Sequence, residues 1–346
     1  MKSKNTDIAI IGAGIAGCTA AFQLARKGFH CTLIDAGHCL ACEASSVFQA
    51  SVIPFFSPSS QQKSDFFSAS WNSFQKLLEQ ADAFDLWNQS GAVHLPASSR
   101  VKKILNDQAL LNANSEIVKR VSKDDSQDVF GVSYDQDFLY YPHAGHLSPS
   151  LLCQRLVEKK VGKIKTLFDT EITQIQKNGL EYQLFDQHAS QILNCSSVVI
   201  ASAYKASSLF PERFKLEPVR GQLLYVKADQ KSKKMKTVVN FGGYIIPEHK
   251  GLHVIGSTHE HGRMDLKEDA ALDEKIVEKL IKYLPTVFEE PLIVEKRWVN
   301  FRTNTPSRLP YIENDEGIFF SIGHGARGIM SSCFAANLLT QKINQP

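Results

Sequence analysis

The sequence predicts an α/β protein, α+β overall, in which a Rossmann-type nucleotide-binding unit is interleaved with a second layer of strands. Three observations carry this expectation. Gly12-Ala13-Gly14-Ile15-Ala16-Gly17 stands between a strand-like and a helix-like run, a second glycine loop follows at Gly323 to Gly328, and short strands with polar turns fill the region from Gly91 to Tyr140. At about 100 to 200 residues per domain, 346 residues leave room for two domains. The 43% hydrophobic and 22% charged content, with 20 Gly and 13 Pro, excludes a disordered or collagen-like chain. No apolar run approaches the ~18 residues that span a bilayer. The stretch Ile8 to Ala21 is broken by three glycines and lacks a small-residue cleavage site, so neither a membrane anchor nor a signal peptide is expected and the cytoplasm is the expected compartment. Seven cysteines are too few for a disulfide framework, and the lone C-x-x-C of Cys39 and Cys42 has no second pair at zinc spacing, so no metal site is expected. A net charge of +3 permits a nucleic-acid partner without requiring one.

Taken in order, Asp7 to Ile11 reads as a strand ending at the glycine cluster, and Cys18, Ala21, Phe22 and Leu24 mark a helix closed by Gly28. His30 to Ile34 is a second strand that ends at Asp35, completing a βαβ unit. Phe66, Trp71, Phe74, Leu77 and Leu78 predict an amphipathic helix over 65–80, and one further helix is expected near Leu105 to Leu111. Ser148-Pro149 opens a helix running to Val161. Strands are expected at Val198 to Ala201, Leu223 to Val226, Gly243 to Ile246, Val254 to Gly256 and Ile318 to Ile322, with helices near 273–284 and 331–342. No repeat or low-complexity linker separates the two layers, so interleaved domains are expected rather than consecutive ones.

The first glycine cluster is a G-x-G-x-x-G in the context that motif requires, after a strand and opening a helix. Gly12 makes the turn, Gly14 lets backbone approach a pyrophosphate, and Gly17 allows close packing of the helix. Free N–H groups and the helix dipole favour the anion there. Asp35, at the end of the second strand, is placed to accept hydrogen bonds from a ribose diol. NAD and FAD share this fingerprint. The loop Gly323-His324-Gly325-Ala326-Arg327-Gly328-Ile329-Met330 delivers a second glycine bend onto the last helix. A flavin has an isoalloxazine to hold as well as a pyrophosphate, and a helix N-terminus favours negative charge beside it by up to ~2 kcal/mol. Two glycine loops therefore point to FAD.

These segments resemble a known family. The βαβ unit, Pro218-Val219-Arg220-Gly221-Gln222, Arg302 with Leu309-Pro310, and the closing Gly-x-x-Gly-Ile are similar to the D-amino-acid oxidase and glycine oxidase group of FAD enzymes. Within it, the chain most resembles the FAD-dependent oxidoreductase domain of the bifunctional tRNA 5-methylaminomethyl-2-thiouridine biosynthesis proteins. That likeness rests on Ala44-Ser45 through Pro54-Phe55-Phe56-Ser57-Pro58, Phe66 to Ala69, Gly145 to Pro149, Gly243 to Pro247, Gly256-Ser257-Thr258 and Arg302 to Pro310. It implies a glutathione-reductase-type FAD domain formed by 1–85, 141–215 and 303–346, with a mixed or antiparallel substrate domain inserted at 86–140 and 216–302. It also implies removal of a carboxymethyl group from 5-carboxymethylaminomethyl(-2-thio)uridine at the tRNA wobble position. The expected FAD contacts are Gly12, Gly14, Ile15, Ala16, Gly17, Asp35, Ala36, Ser45, Ser46, Gln49 and Ile172, with Gly323, Gly325, Ala326, Arg327, Gly328, Ile329 and Met330. The bifunctional proteins also carry a methyltransferase domain before this one, so a separate methyltransferase partner is expected.

Arg302 matches the family's carboxylate-binding arginine, and Tyr244 is expected to add a hydroxyl donor. A structural ion pair of Arg302 with an acid such as Glu295 is the competing reading, and Arg220 and Arg308 are expected to brace loops. The chain departs from its relatives at Ser46-Val47-Phe48, at Ala50 and at Ser202-Ala203-Tyr204, where a glycine is expected. The lysines at 227, 231, 233, 234 and 236 are the expected contact for tRNA, the expected partner. His143, His146, His259 and His261 are expected at the surface or in packing, and His324 beside the flavin. Two other functions stay open: a small-molecule amine oxidase for glycine or sarcosine, and a flavoprotein that binds without turnover.

Overall fold

The computed structural model describes residues 4–160 and 162–343. Its chain builds two large sheets. In the first, Ile318–Ile322, Gln191–Ile200, Lys4–Ile11, Cys31–Ile34 and Ile164–Leu167 lie side by side and parallel. Ile8, Ala9, Ile10 and Ile11 are buried on both faces, as expected of a parallel strand covered on two sides. One face packs on the helices Ile15–Arg26, Gln61–Ala81, Pro149–Glu158 and Gly328–Ile343. The other carries an antiparallel meander of Ile172–Asn178, Glu181–Asp186 and the first half of Gln191–Ile200. Tyr311–Asp315 closes the remaining edge as an antiparallel strand.

The second sheet runs Glu260–His261, Glu217–Lys227, Leu252–Gly256, Tyr244–Ile245, Val238–Asn240, Ala92–His94, Phe138–Tyr141 and Lys119–Val121. Val294–Asn304 pairs along the whole of Glu217–Lys227. The one parallel pair among these, Val238–Asn240 with Ala92–His94, makes the sheet mixed. Helix Ala270–Tyr283 covers its back through Ile276 and Leu280.

Local chemistry sets the element ends. The amphipathic helix expected over 65–80 begins earlier, at Gln61, because Ser60 caps it by accepting from Lys63 N. The single helix expected near 105–111 is two, Ser99–Leu105 and Gln108–Ala113, because the Asp107 carboxylate accepts from Leu110 N at 2.9 Å and starts a new helix. Asp269 likewise opens the helix expected at 273 three residues sooner, at Ala270. Pro149 takes the first helical position, but Ser148 makes no side-chain cap. No described helix is long and apolar enough to cross a membrane.

Candidate active site

A cavity of about 950 Å³ is walled by residues of both sheets, at the top of the ~300–1,000 Å³ range of ligand sites. Both glycine loops reach it. At the first, Gly12 has φ +108°, and a Cβ there would stand 2.5 Å from Ala201 O. A Cβ on Gly17 would stand 1.8 Å from Gly12 O, so the third glycine serves helix packing and does not itself line the cavity. The Asp35 carboxylate staples this turn, accepting from Ala13 N at 2.6 Å and Gly37 N at 2.7 Å, and still faces the cavity. Ser45 Oγ accepts from Ile15 N at 3.0 Å, the first amide of the helix. At the second loop, Gly323, Gly325, Ala326, Arg327, Gly328, Ile329 and Met330 all line the cavity, as do Ala16, Ala36 and Ile172.

Besides Gly17, two expected contacts are not brought there. Gln49 turns away and its Oε1 lies 2.9 Å from His146 Nδ1, while Ser46 Oγ accepts from Trp298 Nε1 at 2.8 Å; neither lines the cavity. Where a glycine is expected from the resemblance, Ala203 adopts φ +52°, and the preceding Ser202 faces the cavity.

Arg302 and Tyr244 line the same cavity. Arg302 lies on Val294–Asn304, registered against Val219. Among the described residues its guanidinium has one partner, Thr258 O at 3.1 Å, and no carboxylate; the ion pair with Glu295 is not formed. Burial lowers Arg302 below its ordinary pKa and raises Tyr244 to about 12. His259, also on the wall, is held down to about 4, by burial first and then by the Arg302 charge. His324 is held at about 4 by burial and bonds Ser321 and Ser331. Arg220 braces a loop as expected: it is fully buried, donates to Asp265 O and Lys267 O, and pairs with Glu260.

Sequence reasoning missed much of the wall. Among the described residues, the buried polar atoms His94 Nε2, Ser202 Oγ, Asn240 Nδ2, Ser257 Oγ and Thr303 Oγ1 have no hydrogen-bond partner, and all five residues line this cavity. Buried polar groups rarely go unpaired, so a ligand rich in polar atoms fits here. The unpartnered Ser202 and Thr303, which stand against Gly12 and Gly325, together with two glycine bends opening onto one chamber, fit FAD.

Such a site suits a nucleotide-cofactor oxidoreductase, with Arg302 in its wall and no described carboxylate paired to it. The family model for FAD dependent oxidoreductases (DAO) matches residues 7–342, and the chain belongs to that family. It is thus an FAD-dependent oxidoreductase. It is 25% identical over 348 residues to the tRNA 5-methylaminomethyl-2-thiouridine biosynthesis bifunctional protein MnmC of Nitrosospira multiformis, covering 96% of this chain and 56% of that protein. It is 28% identical over 288 residues to the protein of the same name from Vibrio cholerae, covering 81% of this chain and 42% of that one. The chain therefore spans about half the length of the curated relatives it matches. The crystal structure of glycine oxidase from Bacillus cereus superposes with a TM-score of 0.84 at 21% identity, over 98% of this chain and 94% of that one. That of L-proline dehydrogenase from P. horikoshii gives 0.84 at 17% identity, over 99% and 94%.

Proposed function

We propose that the protein is an FAD-dependent amine oxidoreductase that removes the carboxymethyl group from 5-carboxymethylaminomethyl(-2-thio)uridine at the wobble position of tRNA, leaving the 5-aminomethyl base. The observation that carries this reading is Arg302, whose guanidinium lies in the cavity without a counter-charge and suits a carboxylate on the substrate. The names of the bifunctional relatives support tRNA over a free amino acid.

In this reading FAD lies across the first sheet, in a domain of residues 1–85, 141–215 and 303–346. Gly12, Gly14, Ile15, Ala16, Asp35, Ala36, Ser45 and Ile172 hold one end and the backbone of the loop from Gly323 to Met330 the other, the Arg327 side chain leaving that loop for Phe55. The second sheet, 86–140 and 216–302, is the substrate side. Bound FAD supplies the acceptor for the hydride that leaves the carbon between amine and carboxylate. Arg302 and Tyr244 fix the carboxylate, which holds that carbon in one place. His259, neutral above about pH 4, adds no second positive charge beside Arg302 to compete with the substrate amine. Oxidation of the N–CH2–COO⁻ unit leaves a C=N bond, and water splits it into the aminomethyl base and glyoxylate. The exposed Lys233 and Lys234, at the turn after Glu217–Lys227, are suited to tRNA phosphates, and a separate methyltransferase is the partner expected to use the product.

Mass spectrometry of wobble nucleosides from cells lacking the protein tests the reading. Accumulation of the carboxymethylaminomethyl form is expected, and an unchanged profile overturns it. Peroxide release with glycine or sarcosine but not with tRNA would move the assignment to a small-amine oxidase.

A further inference from the structure

Arg302 is not alone among the unpaired guanidiniums of this cavity. Arg327 leaves the second glycine loop for Phe55, its Cζ 3.9 Å from the ring centroid. Arg100, from Ser99–Leu105, brings its Cζ to 4.6 Å from the same ring and donates to Phe56 O at 2.8 Å. Among the described residues neither forms an ion pair. Burial, and then the charge of Arg100, lowers Arg327 to about 10, and after burial the same two arginines are the charges that hold His94 down to about 3. The two arginine Cζ atoms are thus at most about 8.5 Å apart with no counter-charge among the described residues, which disfavours both, and an anion that reaches both removes that cost.

The neighbouring strands supply a second polar feature. His94 and Asn240 are registered across the parallel pair of the second sheet, and His94 Nε2 and Asn240 Nδ2 are both buried without partners. On the next strand, Phe138–Tyr141, the Tyr141 ring lies 4.7 Å from that of His94, diagonally across the pairing. Orphaned ring and amide groups on one strand pair suit the donors and acceptors of a planar heterocycle, and paired guanidinium forks suit an anion with several oxygens, of which phosphate is the best match.

We propose that Arg100 and Arg327 form a second anion subsite, distinct from Arg302, that takes the phosphate of a nucleotide whose base faces His94 and Asn240. The inference rests on the wobble-uridine reading and extends it: a free amino acid has one carboxylate and satisfies Arg302 alone, whereas a nucleotide substrate satisfies both ends of the cavity.

Titration of the flavin-loaded protein with uridine and with uridine 5′-monophosphate, followed by flavin absorbance and by calorimetry, tests this. The monophosphate is expected to bind at least about ten-fold more tightly than uridine, with inorganic phosphate competing against it and not against uridine. Arg100→Gln, at unchanged flavin content, is expected to bring the two ligands to within about three-fold of each other. Equal binding of the two ligands by the unaltered protein overturns the proposal, as does a gap that survives Arg100→Gln; the arginines then only clamp Phe55. Should Arg100→Gln lose flavin, phosphate competition in the unaltered protein decides alone. A monophosphate preference alongside unchanged wobble nucleosides in cells sinks the wobble reading and keeps the subsite, while turnover of tRNA without that preference does the reverse.

Discussion

Replacing Arg302 by Met removes a guanidinium while keeping a long side chain. In the folded protein this group has one bond, to Thr258 O at 3.1 Å, so four of its five N–H donors remain for a ligand. A charge-assisted hydrogen bond contributes roughly 1.5 to 3 kcal/mol, which at ~1.4 kcal/mol per decade is roughly a 10- to 150-fold loss in kcat/KM. The loss is expected in both kcat and KM, because the carboxylate is bonded to the carbon that gives up hydride, so anchoring it both binds the substrate and orients the reacting bond. Arg302→Lys keeps the charge but not the fork and is expected to fall between the Met variant and the parent. The assay is steady-state oxidation of tRNA bearing the carboxymethylaminomethyl group, at matched flavin content. A flavin-replete Met variant within about two-fold of the parent refutes the carboxylate assignment.

Gly17→Ala drives a methyl into Gly12 O, 1.8 Å away, so the variant is expected to lose FAD and fall in melting temperature, checked by the ratio of visible to ultraviolet absorbance and by thermal denaturation. Buried His146 is held neutral down to about pH 4 by desolvation, so between the unfolded value near 6.5 and about 4 the unfolded chain binds a proton that the folded one does not. Its contribution is complete above about pH 6.5 and is lost on acidification by about 1.4 kcal/mol per pH unit; His146→Gln is expected to shrink the fall in melting temperature between pH 7 and pH 5, and an unchanged fall contradicts this. Lys233→Gln with Lys234→Gln is expected to reduce the slope of log affinity for tRNA against log salt by about 0.7 to 0.9 for each phosphate that a lysine no longer neutralises, measured by filter binding.

What could be read in the sequence was what local chemistry decides. Gly12 to Gly17 and Asp35 were legible because the turn, helix start and strand end follow one another within 24 residues. Arg302 was legible as a motif residue, but its strand was not, since Val294–Asn304 breaks the alternation of a strand with Glu295-Lys296-Arg297 in a row and is half-buried along most of its length. His94 and Asn240 carried no signal, because only the pairing of strands some 145 residues apart puts them on one wall. Ser46 and Gln49 were expected at the cofactor from the resemblance; Trp298 and His146, distant in sequence, claim their side chains. The break at Asp107 lay in plain view as a cap residue, and the apolar spacing around it outweighed it.

The parallel sheet has a consequence for how the protein is made. Lys4–Ile11 finds its neighbour Cys31–Ile34 at once, but its other neighbour is Gln191–Ile200, which in turn waits for Ile318–Ile322. At about 5 to 20 residues per second, a ribosome needs roughly 15 to 65 s between Gly12 and Met330. Throughout that interval the nascent chain exposes an apolar strand edge of the kind that chaperones shield. If FAD spans both glycine loops as proposed, its loading, and the protection that confers by mass action, begins only once synthesis has passed the second loop.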